Sequence, residues 1–202
     1  MPDAVVRYGV ISTALIGLDR HIPAARESAN SEIVAICSRD ESKARAAAGQ
    51  HGIPTWYGSY EELLADAGLD AVINPLPNSM HCEWTIKAAE AGKHILCEKP
   101  LAASVKEAQR MIDAAKTNDV VLVEAFTHRW SPHLRTARRL IAEGVIGRPT
   151  SLHSVIAFSI TDPKENIRFS PELSGGSLMD GGCYAVYACR YVMDKEPVRA
   201  AA

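Results

Sequence analysis

Along the chain, short and almost wholly apolar runs alternate with longer segments whose apolar positions recur every three or four residues. The runs are Val5 to Ile11, Glu32 to Cys37, Ala71 to Asn74, His94 to Cys97 and Val120 to Glu124, with a shorter one around Thr55 to Tyr57. Apolar residues at nearly every position predict strands covered on both faces. Between them lie predicted helices. Pro23 kinks or restarts the first. Ser42 to His51 is alanine-rich and is ended by Gly52 and Pro54. Ser59 with Glu62, and Ser104 with Glu107, have capping-box spacing for two more. A further helix runs from about His81 to Ala91 and is closed by Gly92, while the one after Ser104 reaches about Thr117 with Asn118 in the left-handed closing position. Strands alternating with helices through the first 125 residues predict an α/β fold: a doubly wound, mostly parallel sheet.

The pattern then changes. Pro132 opens a helix to about Glu143, and Gly144, Gly147 and Pro149 form a linker. Ser151 to Ser159 alternates polar and apolar residues, which predicts an antiparallel strand with one exposed face. No strand-forming partner of similar length follows it, so this segment is expected to be poorly protected. A polar loop crosses Asp162 to Glu172. Gly175 to Tyr184 then leads into a helix ending near Met193, on which Asp180 and Tyr184, four apart, share a face. The adjacent Gly181 and Gly182 predict close approach by backbone or ligand. Two domains are therefore expected, 1–125 and 126–202, the second being a connecting helix and the incomplete start of an α+β antiparallel-sheet domain.

Composition changes this picture little. At 202 residues, 47% hydrophobic and 23% charged, with net charge -2, the chain offers no electrostatic case for nucleic acid or an anionic membrane. No apolar run approaches the roughly 18 residues of a membrane span, and no signal-peptide pattern opens the chain. Five cysteines are odd in number and share no metal spacing. Reduced thiols, a cytoplasmic location and no metal are expected.

The candidate chemistry lies where predicted strands end, because open α/β sheets bind ligands outside the carboxyl ends of their strands. After the first strand, Ser12-Thr13-Ala14-Leu15-Ile16-Gly17 stands in the place of G-x-G-x-x-G, two of its three glycines replaced. Small side chains there still let a phosphate approach the backbone N–H groups of a helix start. After the second strand come Ser38, Arg39 and Asp40, with Lys43 close behind. A carboxylate at this point reads a free ribose 2′-hydroxyl and an arginine accommodates a 2′-phosphate, so the residues favour NADP over NAD, with Asp40 leaving NAD possible. The alternative is a solvated, charged helix start. Asn74 to His81 is another loop at a strand end, where His81 could simply cap the helix. Glu98-Lys99-Pro100 places a carboxylate and an amine at the end of His94 to Cys97, the proline ending the ladder; otherwise it is a surface ion pair before a turn. Tyr184 is either part of a site or a buried amphipathic tyrosine.

Taken together, several segments resemble the Gfo/Idh/MocA oxidoreductases, named for glucose–fructose oxidoreductase, inositol dehydrogenase and a rhizopine-catabolism protein. They are Gly9 to Ala14, Pro75 to His81, Ala89 to His94, Glu98-Lys99-Pro100, Glu124-Ala125-Phe126 and Asp180 to Tyr184. The Ser-Thr-Ala nucleotide loop is most similar to the branch holding dihydrodiol dehydrogenase, NADP-dependent xylose dehydrogenase and glucose–fructose oxidoreductase. The resemblance implies a Rossmann domain over 1–125. Its cofactor is held by Ser12, Thr13, Ala14, Leu15 and Ile16, by Ser38, Arg39 and Lys43 at the 2′-phosphate, and by Leu76, Pro77, Asn78, His81, Glu98 and Lys99 at the nicotinamide half. Arg129 and Trp130 match a basic-aromatic pair near cofactor and substrate. Lys99, Tyr184 and Asp180 are the implied catalytic residues, Lys99 favouring the tyrosinate that a pKa near 10 otherwise disfavours at neutral pH. The implied reaction is hydride transfer between nicotinamide and a carbinol or carbonyl carbon of a sugar, cyclic polyol or dicarbonyl compound.

Two departures qualify the resemblance. His128 stands where an aromatic or small polar residue is usual. The chain is also shorter than the family, lacking the segment that implies a homo-oligomer through an antiparallel sheet. A non-catalytic nucleotide-binding module or redox sensor is the competing expectation.

Overall fold

The computed structural model describes residues 5–160 and 166–201. The chain divides into two compact units, with the boundary between Ala125 and Phe126. The first holds six strands: β1 (Val6–Ile11), β2 (Ser31–Cys37), β3 (Thr55–Tyr57), β4 (Ala71–Asn74), β5 (His94–Cys97) and β6 (Leu122–Glu124). They form one sheet in the order β3-β2-β1-β4-β5-β6, and every neighbouring pair is parallel. This is the doubly wound Rossmann arrangement, whose order reverses between β1 and β4.

Successive side chains on a strand point to opposite faces, and the two core clusters divide the strands on that rule. Ile11, Ala35, Cys37 and Val72 pack with Leu63, Trp84, Ala88 and Met111. Their chain neighbours Val10, Ile36 and Ile73 pack with Ile22, Ala47 and Ala48 on the other face. The helices that cover these faces are α1 (Ile22–Glu27), α2 (Glu41–Gln50), α3 (Tyr60–Ala65), α4 (Asn78–Glu90) and α5 (Val105–Thr117). Each fully buried Leu, Ile or Val is worth about 1.5–3 kcal/mol relative to exposure, so a sheet covered twice over has ample apolar burial to order its strand ends.

Helix boundaries follow the local chemistry, with three corrections. The hydroxyls of Ser59 and Ser104 accept from the N–H groups of Glu62 and Glu107, 3.1 and 3.2 Å away. The glutamates reach one residue further back than a standard capping box, to the N–H groups of Gly58 and Ala103. Asp119, φ 54°, takes the left-handed position expected of Asn118, because the Asn118 amide instead donates to the Ala114 carbonyl. Pro77 precedes the first residue of α4, so His81 lies inside the helix rather than capping it.

The second unit contains α6 (Pro132–Ala142) and α7 (Cys183–Met193). The strand expected over Ser151 to Ser159 does not form: these residues carry no regular structure. Their alternation is real, but a strand needs a ladder, and among the described residues of this unit no other strand pairs with them. The loop expected over Asp162 to Glu172 lies outside the described residues as far as residue 165; beyond it come two short 3₁₀ turns, Ile167–Phe169 and Pro171–Leu173.

Candidate active site

In the first unit, the carboxyl ends of β1, β2, β4 and β5 bring together four of the loops singled out by sequence. Ser12 follows β1 with φ 83°, the left-handed region that favours glycine, and so occupies a position suited to glycine in the loop after β1 at a cost in backbone strain. Its hydroxyl accepts from the Ala14 N–H. Thr13 and Ala14 are half-buried, Leu15 and Ile16 exposed, and the helix that follows opens with a π-helical turn, Gly17–His21. Gly17 sits where a Cβ would come within 3.2 Å of the Val10 side chain, so glycine lets this turn pack directly on the sheet. N–H groups at a helix start beside a small-residue loop suit a diphosphate.

At the end of β2, Ser38 is buried and its N–H donates to the Tyr57 carbonyl at 3.2 Å. Arg39 and Lys43 are exposed. The carboxylate of Asp40 accepts from the Ser42 hydroxyl (2.6 Å) and from the N–H groups of Ser42 and Lys43. The hydroxyl bond first, then the Lys43 amide, hold its carboxyl below the usual range. Asp40 thus caps α2 through Oδ1. Burial raises the pKa of the Tyr60 phenol, opposed by the positive charge of Arg39.

The Glu98-Lys99-Pro100 turn after β5 is braced from three elements. Glu98 Oε1 lies 2.7 Å from His21 Nε2, and its Oε2 accepts from the Lys99 N–H at 3.1 Å. His81, fully buried, has Nδ1 2.8 Å from the Pro100 carbonyl and Nε2 2.7 Å from the Leu76 carbonyl. The Glu124 carboxylate accepts from the Leu101 N–H at 2.8 Å. Burial pushes the Glu124 carboxyl up, opposed by that bond and by His81. The Lys99–Pro100 peptide is cis. Beside this turn, Asn74 is fully buried and its amide shapes the Leu76-Pro77-Asn78 loop, accepting from the Leu76 N–H and donating to Thr85. His81 therefore ties the β4 and β5 loops together from inside the wall.

The remaining candidates belong to the second unit. Arg129 and Trp130 lie on a 3₁₀ turn, Thr127–Trp130, both exposed, with the Arg135 guanidinium 5.4 Å from the Trp130 ring. Tyr184 opens α7 inside an aromatic cluster, its ring 4.9 Å from Phe126 and 4.1 Å from His128. Asp180 lies on a π-helical turn, Leu178–Gly182, and accepts from Arg168 Nε at 2.7 Å. It lines a cleft of about 220 Å³ with Ile156, Phe158, Arg168 and Gly181. Gly181 admits Ile156, since a Cβ there would come within 3.3 Å of it. Among the described residues, no helix is long and apolar enough to cross a membrane.

Residues 6–126 match the model of an oxidoreductase family with an NAD-binding Rossmann fold, and residues 134–202 match the Gfo/Idh/MocA C-terminal domain. The chain belongs to the Gfo/Idh/MocA oxidoreductase family. It is 48% identical, over 91% of its length, to the D-xylose 1-dehydrogenase (NADP(+)) 2 of Haloferax volcanii, and spans 56% of that protein. It is 34% identical to the trans-1,2-dihydrobenzene-1,2-diol dehydrogenase of Xenopus tropicalis over 94% of the chain and 57% of the relative. Among solved structures it resembles the aldose-aldose oxidoreductase of Caulobacter crescentus, with TM-score 0.86, 32% identity, and 96% and 59% of the two chains covered. A 3-ketoreductase from Actinomadura kijaniata, in complex with NADP and TDP-benzene, matches with TM-score 0.85 and 32% identity over 94% and 57%. The chain thus spans little more than half the length of these family members.

Sequence reading missed His21. His21 is 77 positions from Glu98, and a π-helical turn shifts which side chains face the sheet, so no helical spacing points to it.

Proposed function

We propose that this chain carries the nucleotide-binding domain, residues 1–125, and the start of the substrate domain, 126–202, of an NADP-preferring oxidoreductase. The reaction is hydride transfer between the nicotinamide and a carbinol or carbonyl carbon of a sugar or polyol. The observation that carries it is the Glu98-Lys99-Pro100 turn: three neighbours hold the Lys99 backbone at the carboxyl edge of the sheet, beside a phosphate-compatible loop. Such preorganisation is what a catalytic ammonium requires. The names of the xylose and dihydrodiol dehydrogenases support the substrate class.

Bound at this edge, the nicotinamide supplies the hydride acceptor or donor. Ser12 to Ile16 bind the diphosphate. Arg39 and Lys43, with Ser38, take the 2′-phosphate, while one carboxylate oxygen of Asp40 is used in capping α2. Leu76, Pro77, Asn78, Glu98 and Lys99, with His81 behind them, shape the nicotinamide side; Arg129 and Trp130 adjoin cofactor and substrate. Tyr184 moves the proton of the reacting hydroxyl. The Lys99 ammonium stabilises alkoxide character on the substrate oxygen. Asp180, oriented by Arg168, accepts a hydrogen bond from a substrate hydroxyl.

The test is a screen of aldoses and cyclic polyols with NADP and NAD on the wild-type chain and on Lys99→Met and Tyr184→Phe. NADP-dependent turnover is expected, with a loss of about 10²–10⁴-fold in each variant. Turnover that survives both substitutions, or NADP binding with no turnover on any member of the class, overturns the reading.

A further inference from the structure

The backbone and the side chain of Glu98 are tied to different parts of the molecule. Its N–H donates to the Asn74 carbonyl at 3.0 Å, which carries the pairing of β4 and β5 one step beyond the strands. Its carboxylate faces two ways: Oε2 accepts from the Lys99 N–H at 3.1 Å, and Oε1 lies 2.7 Å from His21 Nε2. A carboxylate only accepts, so the imidazole donates through Nε2. The two side chains are 15% and 13% exposed, so water screens this contact less than it does a pair on the open surface.

His21 reaches Glu98 from a separate element, and the backbone that carries it is anchored at both ends. It is the last residue of the π-helical turn Gly17–His21, whose first residue is buried. The residue after it, Ile22, is 1% exposed and packs in the core with Val10 and Ile36. A chain of two bonds therefore runs from this turn through the Glu98 carboxylate to the Lys99 backbone. The rest of the loop is braced without it: the Pro100 carbonyl meets His81 Nδ1, and the Leu101 N–H donates to Glu124.

We infer that His21 is a positioning residue for Lys99: by holding the Glu98 carboxylate it fixes the backbone from which the Lys99 ammonium is aimed. This rests on the assignment of Lys99 to the substrate oxygen. A group ordered on folding loses no further freedom in the transition state, and a small misplacement of a reacting group slows chemistry more than it weakens binding.

The experiment pairs amide hydrogen exchange, read by NMR on the 202-residue chain, with turnover of an aldose with NADP, for the wild type, His21→Leu and His21→Gln. His21→Leu removes the donor, whereas His21→Gln keeps an N–H donor on a side chain of similar reach. In His21→Leu the Lys99 amide is expected to exchange about 2- to 12-fold faster, the worth of one hydrogen bond, while Leu101 and Val10 keep their rates. Its kcat is expected to fall by about 10-fold or more, with NADP affinity within about 2-fold of wild type. His21→Gln is expected to restore both readouts. Equal acceleration at Lys99, Leu101 and Val10 marks general loosening and overturns the inference. An unchanged Lys99 amide does the same, as does a His21→Gln that behaves like His21→Leu. A loss of NADP affinity with kcat unchanged places the effect in the loop after β1 and also overturns it. Turnover that survives Lys99→Met overturns the assignment of Lys99 and with it any catalytic reach of His21, while the exchange rates alone decide whether His21 sets the turn.

Discussion

The two units of this chain hold very different amounts of interior. Among the described apolar side chains, those that are buried lie almost entirely in the sheet and helices before residue 125; after it, only Ala188 and Val192 qualify. α6 buries no residue at all, while Val145, Ile146, Val155 and Phe158 are more than half exposed. The difference follows from geometry. A parallel sheet has two faces and five helices to cover them, so one strand position in two feeds each core. A helix on its own offers only a stripe. The residues proposed for cofactor binding sit mostly on the dense unit, where backbone positions are over-determined; Asp180 and Tyr184 sit on the sparse one, held by an ion pair and by ring contacts instead.

Thiol chemistry offers the widest separation. Burial pushes the thiols of Cys37 and Cys97 up to about 12, whereas Cys183 and Cys189 of the second unit are only half-buried. At pH 8 the Cys37 and Cys97 thiols hold about 10³-fold less thiolate than a thiol at the ordinary value. Reaction with a chromogenic disulfide should therefore be slow at these two and faster at the more accessible Cys183 and Cys189. Comparable rates at all four would mean that the first unit opens as readily as the second.

Deletion of apolar volume comes next. Leu63, fully buried between α3 and the sheet, should cost about 2–5 kcal/mol when cut to alanine. Val186 of α7, 48% exposed, should change stability by no more than about 0.5 kcal/mol under the same substitution. Urea unfolding measures both, and equal losses would abolish the contrast.

The smallest effect is one of pH. Glu124 is a carboxyl whose folded-state pKa burial raises above 4.5. Between 4.5 and the raised value the folded state binds more protons than the unfolded, so stability falls as pH rises through that window and stays lowered above it. Glu124→Gln keeps an acceptor for the Leu101 N–H and cannot ionise. Its melting temperature relative to wild type should be higher at pH 7 than at pH 4, and a difference independent of pH would show that burial does not penalise this carboxylate.

Local chemistry made much of this legible in advance. Each of the six strands overlaps a largely apolar run, because strand positions packed against covering helices leave little room for polar side chains. Ser59, Ser104, Pro132 and Gly92 mark helix ends through bonds and backbone angles that involve only their own neighbours. The strand-end loops and the Glu98-Lys99-Pro100 turn stood out for the same reason. Ser151 to Ser159 failed as a strand because alternation specifies a face, whereas a ladder needs a second chain segment.

Sequence alone determined most strands and helices of the first unit, which loops lie at strand ends, and that Arg39 and Lys43 follow β2. Only the tertiary structure decided how those residues are held. His21 on Glu98 and His81 between the Leu76 and Pro100 carbonyls join positions 77, 5 and 19 residues apart. The physical reason is range. Propensity, capping and periodicity act over a few residues and are written in order along the chain. The bonds that brace a site are made between strand ends, and sheet order, which brings those ends together, is settled by the packing of the whole core.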